Sequence, residues 1–594
     1  MAKMSTAFLG VEKSFTGRRW LARAYDERMA LALAQRYTLP DAVARSLSAR
    51  GLDLDSAPSF LDPRLRELLP NPSGFKDMDR AAARLADAIQ NDEPGAVFGD
   101  FDVDGATSSA LLLRFARASG RAFRLYIPDR QREGYGPNVA AMRQLAAEGV
   151  KLVICVDCGT TAHEPLAAAR EAGLDVIVID HHAAEPALPP AYAVVNPNRL
   201  DEPLNAGYGA LAAVGVTYLF VIAVNRALRA AGWYNEARPE PDLLAWLDLV
   251  ALGTVCDVVS LTGLNRAFVV QGLKVMEQRR NVGLAALARA AGLKGPMDTR
   301  AAGFILGPRV NAGGRVGQSD SGARLLATDD PAEAEALAAQ LDSLNAERRQ
   351  IEAKVQAEAE AMMFDESSPL AFVASENWHV GVLGIVASRL REKFSRPALV
   401  IGLENGTGRG SGRSIGNIDL GAAVIAARQA GLLINGGGHR MAAGLTVERE
   451  KIEALRVFLS DRIGKQLEAE PLLPTLTLDG LVAGSSLQAE LIEKLEALAP
   501  FGVGNPEPRF ALAECRLIRA AVVGEKHVSV IAMQGSTRVR GIAFRAMKNG
   551  LGPALLSQGA EPCHLAGHLR PDDWRGNGAV QLVIDDGASS KPSC

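Results

Sequence analysis

Gly99-Asp100-Phe101-Asp102-Val103-Asp104-Gly105 follows directly on the apolar run Ala96-Val97-Phe98. A short apolar run that ends in carboxylates reads as a buried parallel strand, whose carboxyl end is where open α/β sheets place ligands. The pattern recurs. Leu152-Val153-Ile154 leads to Val156-Asp157-Cys158-Gly159, and Val176-Ile177-Val178-Ile179 leads to Asp180-His181-His182. A fourth acidic segment is Gly253-Thr254-Val255-Cys256-Asp257. Carboxylates gathered from several strand ends repel one another unless a cation holds them. Oxygen ligands with one imidazole suit Mg²⁺ or Mn²⁺. The reading is a two-metal hydrolytic centre acting on a phosphate ester.

Outward from these segments, residues 75–275 alternate between strand-like and helix-like patterns. Thr107–Ala118 places Leu111, Leu112 and Phe115 on one helix face. This alternation predicts βαβ units and a mostly parallel sheet. Asp330-Pro331 marks a helix start, and no glycine or proline interrupts the chain from there to Met363. At 1.5 Å per residue that helix is on the order of 50 Å long, a length suited to a strut between two domains. A coiled-coil dimer is the rival reading, but the apolar repeat covers too few heptads. A second α/β unit follows over about 367–467. The tail is β-rich, with Thr475–Leu478, Arg516–Val523, Val528–Met533, Arg538–Phe544 and Val580–Ile584 as strands separated by glycine-rich turns, the pattern of a small barrel. Residues 1–74, punctuated by Pro58, Pro63, Pro70 and Pro72, are expected to form a small helical cap on the core.

The chain has 594 residues, 48% hydrophobic and 22% charged, with a net charge of −3. This argues against whole-surface attraction to nucleic acid but leaves room for a local basic channel. Residues 509–575 hold ten Lys and Arg against five Asp and Glu, a net charge of +5 in an acidic protein. No run reaches the roughly 18–20 apolar residues of a membrane helix, and the first residues lack a signal-peptide core. The six cysteines are unevenly spaced and make no disulfide framework. A cytoplasmic location is the default expectation.

Asp100, Asp102 and Asp104 alternate along extended chain, so all three are available to one cluster; a turn capping the next helix would explain only one of them. His181 and His182 are adjacent, and one metal rarely takes both. His181 is assigned to metal and His182 to the scissile phosphate, with Asp180 orienting an imidazole. Gly436-Gly437-Gly438-His439 reads as a backbone nest for phosphate oxygens, Gly437 and Gly438 giving amides and His439 a donor. Ser411-Gly412-Arg413-Ser414 is placed in the same cleft. Arg309 and Arg315, in another glycine-rich stretch, are cations suited to clamping phosphate, or equally to a structural ion pair. Cys155 and Cys158 lack the further ligands of a zinc site and are assigned to packing. Trp378 is divided evenly between base stacking and core.

The order and content of these segments resemble the DHH phosphoesterase superfamily, and within it the bacterial single-strand exonucleases. The likeness extends to Gly307-Pro308-Arg309-Val310-Asn311-Ala312-Gly313-Gly314-Arg315, to Trp378–Ala387, to Gly436–Gly444 and to Pro500-Phe501-Gly502-Val503-Gly504-Asn505-Pro506, covering about 75–590. The resemblance implies a catalytic DHH domain over 75–327, a connecting helix over 328–366, a DHHA1 domain over 367–467 and an OB-fold over 468–594 that binds nucleic acid. It implies Asp102, Asp104, Asp157, His181 and Asp257 as metal ligands, Asp157 bridging, with Asp100 an alternative to Asp104. It further implies 5′→3′ degradation of single-stranded DNA to mononucleotides in recombination and repair, by a monomer with a helicase and a single-strand-binding protein as partners. The rivals are a phosphodiesterase of short oligonucleotides or cyclic dinucleotides and a catalytically silent DNA-binding relative. The full set of carboxylates weighs against the second.

Overall fold

The computed structural model describes residues 6–130, 132–203, 205–363, 368–416, 418–469, 474–559, 561–572 and 579–590. The chain divides into two compact units. One joins Met1–Leu68, Ser260–Ala267 and Leu473–Cys594, and the other joins Leu69–Val259 and Phe268–Leu472.

The first unit begins with strand β1 (Arg19–Ala22) and the helices Glu27–Tyr37 and Asp41–Ser48, and is completed by the C-terminal strands below.

In the second unit, five parallel strands form one sheet: β2 (Gly95–Gly99), β3 (Arg124–Tyr126), β4 (Leu152–Val156), β5 (Asp175–Ile179) and β6 (Ala193–Val195), in the order β3-β2-β4-β5-β6. Every residue of β2 and β4 is buried, as expected of strands covered on both faces. From β2 the chain first adds β3 on one side, then returns to add β4 on the other. The carboxyl ends of β2 and β4 thus flank the topological switch point, where such sheets open a crevice for ligands. The helix Ala213–Ala230 is long and apolar enough to cross a membrane by length and composition, but 72% of it is buried in this core.

The long helix runs from Pro331 to Ala361, capped by Asp330, whose carboxylate accepts from Ala332 N. Its C-terminal part belongs to the next core, where Val355 and Ala359 pack with Val373, Val382, Val386 and Val400. That core is one face of a sheet ordered β10-β11-β9-β8-β7, built from β7 (Ala371–Glu376), β8 (Ala398–Glu404), β9 (Thr407–Arg413), β10 (Asn435–His439) and β11 (Ala442–Glu448). Period-two alternation along β8 sends Ala398 and Val400 to the face of the helix Val380–Phe394, and Leu399 and Ile401 to the face of the helices Leu420–Gln429 and Ile452–Ala469. Trp378 is 5% exposed and donates through Nε1 to Glu358, so it belongs to the core and does not face a base.

The remaining strands return to the first unit: β12 (Thr475–Leu478), β13 (Gly480–Leu481), β14 (Phe510–Val523), β15 (His527–Gln534), β16 (Thr537–Ala543), β17 (Pro562–Pro571) and β18 (Val580–Ser589). Strands β14-β15-β16-β18-β17 close into a barrel through a β14–β17 pairing, the OB-like closure that removes free edges. The helices of the N-terminal segment share the barrel's core: Leu33, Val43, Leu47 and Phe60 lie in one cluster with Phe510, Leu512, Val530 and Leu582. β1 pairs in parallel with β12, and the fully buried Trp20 donates through Nε1 to Asp586. The Pro500–Pro506 loop is structural. Arg266 donates to the carbonyls of Phe60, Ala497, Leu498 and Ala499, while Arg50 holds Asn505 and the Pro506 carbonyl.

Candidate metal centre

Three strand ends and one helix end deliver the acidic side chains. Asp100 follows β2, Asp157 follows β4, and Asp180-His181-His182 follows β5; Asp257 stands at the C-terminus of the helix Leu247–Cys256. A carboxylate at a helix C-terminus meets the negative end of the macrodipole, so it needs a cation to justify its place. Ligand atoms converge in three overlapping groups: Asp100, Asp102 and Asp157; Asp104, His181 and Asp257; and Asp157, His181 and His182. Within each group they lie no more than 4.8 Å apart. Asp157 and His181 are shared between groups.

The carboxylates are not equivalent. Asp102 caps the helix Val103–Ala118, its Oδ1 accepting from Asp104 N and Gly105 N. Asp104 is 1% exposed and caps the helix Ala213–Ala230, with Oδ2 accepting from Ala213 N at 2.7 Å and Oδ1 from Val214 N at 2.9 Å. By contrast, Asp100 Oδ1, Asp157 Oδ1 and Asp257 Oδ2 are buried without a hydrogen-bond partner among the described residues. Buried polar atoms are almost always satisfied, so three orphaned oxygens in one cluster mark a place for cations. Asp100 joins Asp102 and Asp157 in one group of potential ligands, and Asp104 joins His181 and Asp257 in another.

Electrostatics point the same way. Burial, then repulsion from Asp104 and Asp102, pushes Asp257 up to about 9. Burial likewise raises Asp104 to about 6, and lifts Asp157 and Asp100 well above the ordinary carboxylate range. The residues present fit two hard divalent cations, whose charge reverses these shifts.

His181 Nδ1 lies 3.0 Å from the Leu211 carbonyl, which can only accept. The proton therefore sits on Nδ1, and Nε2, 3.3 Å from Asp157 Oδ1, keeps its lone pair for a metal. Asp180 orients His182 and not His181. Its Oδ1 lies 2.7 Å from His182 Nδ1, and the carboxylate also accepts from the backbone of Thr160, His181 and His182. Burial alone would lower His182, but the Asp180 contact outweighs it and raises the imidazole to about 9. Asn196 and Asn198, which no sequence motif marks, hold this turn by donating to the carbonyls of His182 and His181.

A second, positive cluster lies beside the carboxylates. Half-buried Arg315 donates to the Gly381 carbonyl at 3.0 Å. Burial, then the charges of Arg130 and Arg348, lowers it to about 10, with Arg413 adding to the effect. Arg130 stands 4.9 Å over the Phe101 ring, where Asp100 and Asp102 act on it. Arg413 donates to Ser411 Oγ and the Gly412 carbonyl. None of Arg130, Arg315 and Arg413 has a carboxylate within 4.0 Å among the described residues. Gly314 and Gly384 permit the close approach: an added Cβ would lie 2.8 Å from Phe101 Cβ at the first and 2.9 Å from Arg413 Nη2 at the second. Arg130 was not legible as a site residue. The available signal was its place beside Asp129, shortly after strand β3.

Two expectations are corrected. Arg309 is bound to Asp342 at 2.8 Å and to the Ile305 carbonyl, the structural ion pair and not a phosphate clamp. Gly436, Gly437 and Gly438 lie in strand β10 and not in a nest, because each pairs with β11 in regular register. Across β11 and β9 that register aligns His439 with Ala442 and Arg413, and Gly437 with Gly444 and Ser411. His439, Gly437, Ser411 and Arg413 thus share one sheet face, with His439 about 10 Å from Arg413 by strand spacing. Gly438 turns to the other face, where its φ of +150° and the Ala442 oxygen, 2.3 Å from an added Cβ, leave room for glycine alone. Cys155 and Cys158 are fully buried in the core of the parallel sheet.

Comparison with known proteins agrees with this architecture. The DHH family N-terminal domain matches residues 96–254, the DHHA1 domain 367–465 and the RecJ OB domain 478–586. The single-stranded-DNA-specific exonuclease RecJ of Salmonella typhimurium is 35% identical over 565 residues, covering 92% of this chain and 96% of its own length. The protein of the same name from Bacillus subtilis is 33% identical over 583 residues, covering 96% of this chain and 71% of its own. Among solved structures, RecJ from Thermus thermophilus in complex with Mn²⁺ superposes with a TM-score of 0.80 at 30% identity, over 97% of this chain and 79% of that one. Its complex with Mg²⁺ gives a TM-score of 0.74 at 28% identity, over 97% and 78%. The carboxylates and imidazoles converge on one metal-binding cluster, and the match spans all three domains; the chain belongs to the RecJ family of single-stranded-DNA-specific exonucleases.

Proposed function

We propose that this chain hydrolyses single-stranded DNA from its 5′ end, releasing mononucleotides. One observation carries the reading: a cluster of arginines without carboxylate partners directly beside a cluster of carboxylates without hydrogen-bond donors. The first suits a terminal phosphate, which carries more charge than an internal diester. The second suits cations at the adjacent scissile phosphate. The spacing between them then limits the cut to the end of the strand.

Asp100, Asp102, Asp104, Asp157, His181 and Asp257 would hold two Mg²⁺ or Mn²⁺ ions, which when bound lower the pKa of water and neutralise charge on phosphate oxygens. The chain's own residues do the rest. Asp180 holds His182 through Nδ1, and Nε2, with the Tyr135 hydroxyl 3.5 Å away, is the ring nitrogen that would donate to a phosphate oxygen. Leu211 sets the tautomer of His181. Arg130, Arg315 and Arg413, with Ser411, bind the terminal phosphate from both domains of the second unit. Glycine at 437 and 444, where an added Cβ meets nothing within 4 Å, leaves that sheet face open to the strand, with His439 at its margin.

The barrel supports a long substrate. On its outer face the register aligns Arg516, Met533 and Arg538 in one row and Arg519, Ile531 and Arg540 in the next. Four cations flanking apolar side chains suit a phosphate backbone with stacked bases, and a small-molecule diesterase has no use for them. Since such a substrate must first be opened from duplex, the reading extends to recombination and repair, with a helicase exposing the strand and a single-strand-binding protein covering it. The test is digestion of long strands labelled at either end, with and without a 5′ phosphate. Early release of the 5′ label from phosphorylated strands is expected; early release of the 3′ label would reverse the polarity.

A further inference from the structure

Asp157 holds a left-handed backbone conformation, which aspartate adopts more readily than most residues but still at some cost. Its φ is +60°, in the left-handed region, which costs a residue with a Cβ roughly 1–2 kcal/mol. Its carboxylate does nothing to offset this, because Oδ1 is buried without a hydrogen bond among the described residues. The conformation is held through the main chain. Asp157 N donates to the Ile179 carbonyl at 3.0 Å, which ties it to the neighbouring strand end. Its own carbonyl accepts from the hydroxyl of Tyr135 at 3.0 Å.

Tyr135 is delivered by a braced loop. Gly134 and Gly136 on either side have φ of +90° and +72°, left-handed values that favour glycine. An added Cβ at Gly136 would lie 3.7 Å from Cys158 Cβ, which places the loop against the residue after Asp157. Glu133 fastens the loop base by accepting from Asp129 N, Tyr126 Oη and Asn138 Nδ2. The Tyr135 ring meets the His182 ring edge to face, with centroids 5.9 Å apart.

We infer that Tyr135 is a positioning residue that keeps Asp157 in its left-handed conformation, so that the carboxylate shared by two ligand groups stays aimed at the metals. This rests on the metal reading of the site. Loss of the hydroxyl leaves a strained peptide free to relax, and a rotation at Cα moves the carboxylate directly. The Tyr135 hydroxyl also lies 3.4 Å from His182 Nδ1 and 3.5 Å from Nε2, so the KM for DNA is the readout that separates positioning of Asp157 from an effect through His182.

The test is Mn²⁺ binding to the full chain without DNA, followed by the electron paramagnetic resonance of free Mn²⁺, for wild type, Tyr135→Phe and Asp157→Ala. Tyr135→Phe is expected to bind Mn²⁺ about tenfold more weakly, the loss of one hydrogen bond's worth of positioning. Turnover should return to near wild type at saturating Mn²⁺, with KM for DNA unchanged and the melting temperature in chelator unchanged. Affinity within twofold of wild type overturns the proposal. So does a rise in KM at unchanged Mn²⁺ affinity, which would make Tyr135 a substrate contact, and so does a lower melting temperature in chelator at unchanged affinity, which would make it a brace of the fold. Asp157→Ala keeps the two readings apart. If it binds Mn²⁺ as wild type does, the metal reading fails; if it alone loses Mn²⁺, only the role of Tyr135 fails.

Discussion

Asp157 Oδ1 lies 3.3 Å from His181 Nε2, and that oxygen is buried without a hydrogen bond among the described residues. Two acceptors facing each other at that distance are stable only with a cation or a proton between them. Asp157→Ala is expected to lower turnover by more than about a hundredfold, beyond the range typical of outer-shell changes. In chelator the same variant should melt no lower than wild type, because a buried like charge has gone. Saturating Mn²⁺ should raise the wild-type melting temperature and leave the variant's unmoved. Equal stabilisation of both by Mn²⁺ would place the metal elsewhere.

Arg315→Ala, Arg413→Ala and Arg130→Ala are each expected to erase most of the preference for 5′-phosphorylated over 5′-hydroxyl strands. A charge-assisted contact is worth about 1.5–3 kcal/mol, on the order of ten- to hundredfold in kcat/KM for the phosphorylated end alone. Arg309→Ala should leave that ratio intact and act on stability, since its guanidinium is bound to Asp342. Equal losses for both kinds of end in all three variants would make the cluster a general phosphate contact.

The parallel sheet was legible because buried strands announce themselves as apolar runs, and the carboxylates at their ends followed. The long helix was legible from Asp330-Pro331 and the uninterrupted stretch after it. Asp257 was legible only as a member of a motif, since it comes from a helix end. Arg130 and Tyr135 escaped because a loop's tertiary position leaves no periodicity. Strand β10 reads locally as a loop because glycine is a poor strand former, and it is recruited there by pairing with β11 and by the need for room on the open face. The N-terminal helices have ordinary amphipathic faces. Nothing local tells which core they cover, and the partner strands lie more than four hundred residues away.

The outer face of the barrel gives a salt-dependent prediction. Arg519 and Arg540 flank Ile531 in one row, and neither has a carboxylate within 4.0 Å among the described residues. Arg519→Ala with Arg540→Ala should weaken binding of long single strands and reduce the slope of log K against log salt by about 1.4, at roughly 0.7 per phosphate contact. Cleavage of a dinucleotide should be unaffected. An unchanged slope would remove this face from the path of the strand.

The last prediction concerns Asp248, on the same helix that ends at Asp257 but outside the cluster. Its carboxylate is 2% exposed and accepts from Leu249 N at 2.8 Å. Burial raises it from an ordinary 3.8 to about 6, only partly opposed by that hydrogen bond and by Arg114. The folded form therefore holds this proton more tightly than the unfolded chain does. Stability from this group is complete below the unfolded pKa, falls as pH rises from about 4 through about 6, and stays lower above that. Asp248→Asn keeps an acceptor for Leu249 and removes the charge. It should stabilise the protein by roughly 1–3 kcal/mol at pH 8 and by about half as much at pH 5, at about 1.4 kcal/mol for each tenfold difference in proton affinity between the folded and unfolded chain. The measurement is the melting-temperature difference between variant and wild type at the two pH values. A gain of the same size at both would trace the effect to packing and leave no role for the buried charge.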